Sequence, residues 1–175
     1  RVAFTSYADN LDPMAPAGLS GMPRRRRARH GFSIGFAWGL GAMLAGVSWL
    51  YVALHRYGGM PVPLAAFAIL LFCAAMALYA GLAGALFAAL RQGTAWGDAA
   101  LFAALWLLTE WLRGWLFTGF PWLASGYSQS PPSPLAGFAP VLGVFGVGGL
   151  VALVAAWTCR AVLARRVEPL LAVLV

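Results

Sequence analysis

Leu64-Ala-Ala-Phe-Ala-Ile-Leu-Leu-Phe-Cys-Ala-Ala-Met-Ala-Leu-Tyr-Ala-Gly-Leu-Ala-Gly-Ala-Leu-Phe-Ala-Ala-Leu90 contains no charged side chain. As a helix rising about 1.5 Å per residue it exceeds the about 30 Å of a bilayer's hydrocarbon core. Its Ala and Leu content supplies apolar surface all round, which suits a helix surrounded by lipid. Excess length predicts tilt or extension past the membrane. Residues 32–54 form a second run without a charge, about the length of one span. Its small residues (Gly35, Gly39, Gly41, Ala42, Ala45 and Gly46) suit close approach to another helix.

Composition agrees. Of 175 residues, 62% are hydrophobic and 10% charged, with mean hydropathy +0.79. A soluble domain carries about a quarter charged residues. These features predict an all-α membrane protein, a polytopic transmembrane helical bundle. Four helices are expected at about 32–54, 64–90, 99–117 and 141–162. Residues 1–31 read as an irregular or degraded first segment followed by an Arg-rich linker. Residues 118–140 read as a Pro-rich loop, and 164–175 as a loop entering a further helix at Leu170. Both ends of the sequence read as cuts.

The net charge of +7 comes entirely from Arg, with no Lys. Arg24, Arg25, Arg26, Arg27 and Arg29 form one cluster, which in a membrane protein is a topology signal rather than a nucleic-acid site. Alternating the spans puts this cluster, Arg91, Arg160, Arg165 and Arg166 on one side. That side is cytoplasmic by the positive-inside rule. Residues 55–63 and 118–140 then face the periplasm. Cys73 and Cys159 lie in apolar runs without metal-ligand spacing, so neither a disulfide nor a metal site is expected.

Glu110 and Arg113 interrupt the third apolar helix. Three residues apart, they share a helical face and can meet. One reading is a structural ion pair. Another is a polar cavity near the outer end, where Arg113 could grip a phosphate with two donors. Trp115, Phe120, Pro121 and Trp122, with Trp49 and Tyr51 from an earlier helix, form either an interfacial aromatic belt or the wall of a lipid cavity. Tyr127 is a polar candidate in the outer loop. His55 reads as an interfacial residue rather than a base. No nucleophile–base set, carboxylate pair or phosphate-binding Gly loop is present, so no catalytic residue and no cofactor is assigned.

Glu110-Trp-Leu-Arg-Gly-Trp-Leu-Phe-Thr-Gly-Phe-Pro-Trp122, then Gly126-Tyr-Ser-Gln129 and Pro134-Leu-Ala-Gly-Phe-Ala-Pro140, resembles the membrane domain of bacterial apolipoprotein N-acyltransferases. Gly46-Val-Ser-Trp-Leu-Tyr-Val52, Gly58-Gly-Met-Pro61 and Leu78-Tyr79 agree in order and spacing. The likeness runs from Phe32 to about Pro169. It implies an inner-membrane enzyme that takes an acyl chain from a phospholipid. The acceptor is the N-terminal diacylglyceryl-cysteine of an apolipoprotein, in the last step of lipoprotein maturation. It also implies a Cys thioester intermediate on a Glu, Lys and Cys set in a periplasmic nitrilase-like domain. A chain without Lys cannot assemble that set, so this chain alone is expected to be inactive, with Cys73 and Cys159 excluded as nucleophiles. The alternative is a non-catalytic anchor or partner module of the kind found with polyprenyl-phosphate mannose synthases.

Overall fold

The computed structural model describes residues 22–129 and 133–172. Every regular element among them is helical. In chain order these are α1 (Arg24–Gly46), α2 (Trp49–Val52), α3 (Val62–Leu90), α4 (Ala95–Trp115) and α5 (Ala139–Ala172). A π-helical turn, Ala53–Tyr57, follows α2. Short 3-10 turns occupy Leu116–Thr118, Ser125–Ser128 and Pro134–Phe138. The expected all-helical membrane class holds.

Among the described residues, Val62–Leu90 and Pro134–Arg160 are long and apolar enough to cross a membrane, with mean hydropathies of 2.3 and 2.2. Only 22% of each apolar window is buried inside the protein, which leaves most of its surface for lipid. The pair Arg24–Gly46 and Trp49–Tyr57 adds a third span if counted as one, bent by 53°. With 21 residues, α4 is long enough, but it carries Asp98, Glu110 and Arg113.

Several boundaries differ from the sequence expectation. The Arg-rich stretch is the first turn of α1 rather than a linker: Arg is a good helix former, and the N–H groups of Arg26 and Arg27 donate to the carbonyl of Pro23. The expected helix 32–54 breaks at Val47 and Ser48. There Leu123 fills the space beside Gly46, which has no Cβ to occupy it. The polar loop after α3 is short, because α4 begins at Ala95. Asp98 in its first turn is buried and accepts the backbone N–H groups of Gln92 (2.8 Å) and Gly93 (3.1 Å). At the other end, the backbone of α5 stays helical through Ala172, so residues 164–172 are not a loop. It is kinked near its start at Gly143, whose φ of 65° suits glycine. The expectations for residues 1–21 lie outside the described residues.

Small residues set the main packing. Gly31, Gly35 and Gly39 recur every fourth residue and face Gly84, Ala80 and Ala77 of α3. A Cβ on Gly31 would strike the carbonyl of Gly84, and one on Gly35 the carbonyl of Ala80. In lipid, where burial of apolar surface gains nothing between helices, such backbone proximity is a main source of attraction. Gly41 points into open space and takes no part. Above this seam, Met43, Val47, Ile69 and Cys73 form a buried core, flanked by Tyr51, Phe72 and Phe120. In turn α3 packs on α4, and α4 on α5.

Candidate functional site

Trp106, Thr109, Glu110 and Arg113 occupy one face of α4, at i, i+3, i+4 and i+7. They line a small cavity closed by Met43 of α1 and by Met76 and Tyr79 of α3. Glu110 and Arg113 are 4% and 6% exposed, so both charges are out of water.

What satisfies the carboxylate is Ser125 more than Arg113. The Ser125 N–H donates to Glu110 Oε1 at 2.8 Å, and the Ser125 hydroxyl to Oε2 at 3.0 Å. Trp106 Nε1 in turn donates to Ser125 Oγ at 3.1 Å. Arg113 Nη2 lies 3.8 Å from Glu110 Oε1, a looser contact, and Nη1 lies 4.0 Å from Met43 Sδ. Neither is a short hydrogen bond, so the guanidinium is held in place without being saturated.

Ser125 belongs to the segment expected to be an outward loop. Instead the chain turns back after Trp115. Phe120 N donates to the Arg113 carbonyl at 2.8 Å, and the chain descends until Ser125 reaches Trp106. From Trp115 to Trp106 is about 13 Å along the helix at 1.5 Å per residue. Ala124 and Gly126 are buried there. Buried non-helical backbone must be satisfied by protein. Glu110 does this for Ser125, and turns within the segment do it for Ala124, Tyr127 and Gln129. Room comes from glycines: a Cβ on Gly126 would strike the Val144 carbonyl, and one on Gly148 would lie 2.7 Å from Glu110 Oε2. Phe117 and Leu123 take φ of 52° and 60° at the reversals, a left-handed backbone that costs non-glycine residues some strain.

Of the residues singled out from sequence, Glu110 and Arg113 meet in the cavity. Tyr51 and Phe120 join the adjoining core, Phe120 edge-on to Phe72 at 4.9 Å. Trp49 and Trp122 pair at 5.5 Å on the surface, each about half exposed. Trp115 packs on Trp111 and faces outward, while Pro121 and Tyr127 are exposed. The cavity, about 70 Å³, suits a few waters or one small polar group and excludes an acyl chain. Trp49, Tyr51, Trp115, Phe120, Pro121, Trp122 and Tyr127 are not among its lining residues. Sequence reasoning missed Trp106, Ser125 and Tyr79. Trp106 was legible, because it shares the helical period of Glu110 and Arg113; Ser125 had no local signal. His55 Nδ1 lies 2.8 Å from the Met60 carbonyl, a turn contact. Among the described residues no group of His, Cys, Asp and Glu could hold a metal.

The fold and this buried polar cluster define an all-helical membrane domain with a chain reversal pinned by a buried carboxylate. A family model, "Apolipoprotein N-acyltransferase N-terminal domain", matches residues 11–157. Relatives named apolipoprotein N-acyltransferase include one from Nitrosomonas europaea, 54% identical over 123 residues, covering 70% of this chain and 25% of the relative. Another, from Ralstonia nicotianae, is 44% identical over 155 residues, covering 86% and 29%. A third, from Photobacterium profundum, is 37% identical over 162 residues, covering 92% and 31%. The chain belongs to the apolipoprotein N-acyltransferase family, and it spans less than a third of the length of these relatives. The alternative of a module partnering polyprenyl-phosphate mannose synthases gains no support from these matches.

Proposed function

We propose that this chain is the membrane platform of an enzyme that moves an acyl chain from a phospholipid to the N-terminal diacylglyceryl-cysteine of an apolipoprotein. The match of residues 11–157 to the N-terminal domain of that family carries the reading. In this reading the chain is a multi-pass protein of the bacterial inner membrane. The loops 55–63 and 118–140 belong to the periplasmic side, the second folding back into the bundle at Ser125, and Arg24 to Arg29, Arg91, Arg165 and Arg166 to the cytoplasmic side. Four spans make up the platform, α4 among them, with its charges turned into the bundle. Without a Lys, the chain alone performs no acyl transfer.

The roles proposed for the site are supportive. Glu110 fixes the re-entrant turn by accepting two hydrogen bonds from Ser125. Arg113 presents an incompletely satisfied cation at the outer end of the bundle, suited to a phosphate. Trp49 and Trp122 seat the turn at the interface. The test is Arg113→Ala in the full-length gene product, against Arg56→Ala, whose side chain is exposed. Acylation of a diacylglyceryl-cysteine peptide by phospholipid should fall about tenfold or more for Arg113→Ala, the equivalent of about 1.4 kcal/mol in the barrier. Arg56→Ala should stay near wild type. Equal and negligible losses would remove Arg113 from the site.

A further inference from the structure

The bundle holds a second and larger cavity on the opposite side of Trp106. It is an apolar groove of about 630 Å³, between α1 and α3 on one side and α4 and α5 on the other. Among the described residues the main packing runs from α1 to α3, from α3 to α4 and from α4 to α5, and all four helices line the groove. The walls are mostly small, aliphatic or aromatic: Ile34, Gly35, Phe87, Phe102, Ala152 and Ala155 among them. Ile34, a large apolar side chain, is 56% exposed among the described residues. The volume is within the range of small-molecule sites, about 300–1,000 Å³.

One end of this groove is basic. Arg27 and His30, three apart on the same face of α1, line it together with Arg91 beyond the end of α3. Arg27 Nε is buried and finds no hydrogen-bond partner. Neighbouring Arg24 is engaged elsewhere, donating to the Ala89 carbonyl at 3.1 Å. The other end is closed by Trp38 and Trp106, in edge contact at 5.3 Å. From Arg27 to Trp38 the helix rises about 16 Å, which matches half of a hydrocarbon core of about 30 Å. A cationic mouth at the surface with an apolar slot one leaflet deep is the complement of one amphiphile.

We infer that this groove binds an anionic phospholipid from the leaflet on the Arg24–Arg29 side, with its phosphate at Arg27, His30 and Arg91 and one acyl chain running to Trp38 and Trp106. Basic pockets between membrane helices are known to take lipid headgroups. The site is separate from the Glu110 cavity and does not depend on the acyl-transfer reading.

The test uses the full-length gene product in phosphatidylcholine nanodiscs. The probe is a phosphatidylglycerol with a photoreactive diazirine in its acyl chain. Crosslinks should map to Ile34 and Ala155. Unlabelled phosphatidylglycerol should compete at about one-fifth or less of the concentration needed for phosphatidylcholine, given the roughly fivefold gain per basic residue near a membrane surface. Arg27→Gln should lower that preference about fivefold on the same grounds. Ala155→Phe should abolish the crosslink to Ile34, whereas Ala75→Phe, exposed and outside the groove, should not. Equal competition by the two lipids, or no crosslink in the groove of the wild-type protein, overturns the inference. So does competition by glycerol 3-phosphate, which would make the ligand a soluble phosphate, or a crosslink between the groove and residues 1–21, which would make the occupant the chain itself.

Discussion

At the scale of single residues, Glu110 is explained by its hydrogen bonds rather than by its charge partner. A carboxylate in hydrocarbon is expensive, and Arg113 at 3.8 Å is a weak remedy. Two donors from Ser125 at 2.8 and 3.0 Å are a better one. Ser125→Ala removes the hydroxyl that accepts from Trp106 and donates to Glu110, leaving both short of a partner. It should cost about 1–3 kcal/mol, read as a lower melting temperature in detergent. Glu110→Gln should also lower stability and insertion yield, and the double variant should lose less than the sum of the two. Strict additivity would show that the two side chains act independently. A Glu110→Gln protein with normal yield and lost turnover would instead give the carboxylate a direct part in the chemistry. The pairing of Glu110 with Arg113 was legible from their spacing. The larger debt of Glu110 to Ser125 was not, because fifteen residues and a chain reversal separate them.

Between elements, the seam of α1 and α3 shows how six small residues set a helix crossing. Gly35→Ala places a methyl group against the Ala80 carbonyl, and overpacking of this kind costs about 1–3 kcal/mol. Gly41→Ala meets nothing within 4 Å and should gain about 0.5–1 kcal/mol from helix propensity alone. Opposite signs are therefore expected for the same substitution six residues apart, as read by unfolding in mixed micelles. A destabilised Gly41→Ala would place that face against a partner. Hydropathy and small-residue content made the spans and the close approach legible. They did not reveal which glycines touch, because that depends on the register of α3. Nor did they reveal the start of α1 in the Arg cluster, since charge marks a membrane boundary and says nothing of where a helix begins. The fold of residues 118–140 was hidden for a similar reason: their prolines exclude a spanning helix but do not say that Ser125 packs back against α4.

For the molecule as a whole, the distribution of Arg fixes the proposed orientation. With Cys159 replaced by Ala, single cysteines at Tyr57 and Thr94, both exposed, report the two faces. A membrane-impermeant maleimide added to spheroplasts should label the Tyr57→Cys protein at once and the Thr94→Cys protein only after permeabilisation. The reverse pattern would invert the bundle. Buried Cys73 should stay silent in both.

The contact between Trp38 and Trp106 acquires a meaning at this scale. These two indoles border the Glu110 cavity above and the apolar groove below. Without them, a polar chamber would open into a slot that runs to the far surface, and the protein would offer lipids a flip-flop route. The pair is a septum. It keeps a polar pocket and an apolar slot apart in one small bundle, a separation that preserves the bilayer's asymmetry and its barrier to ions.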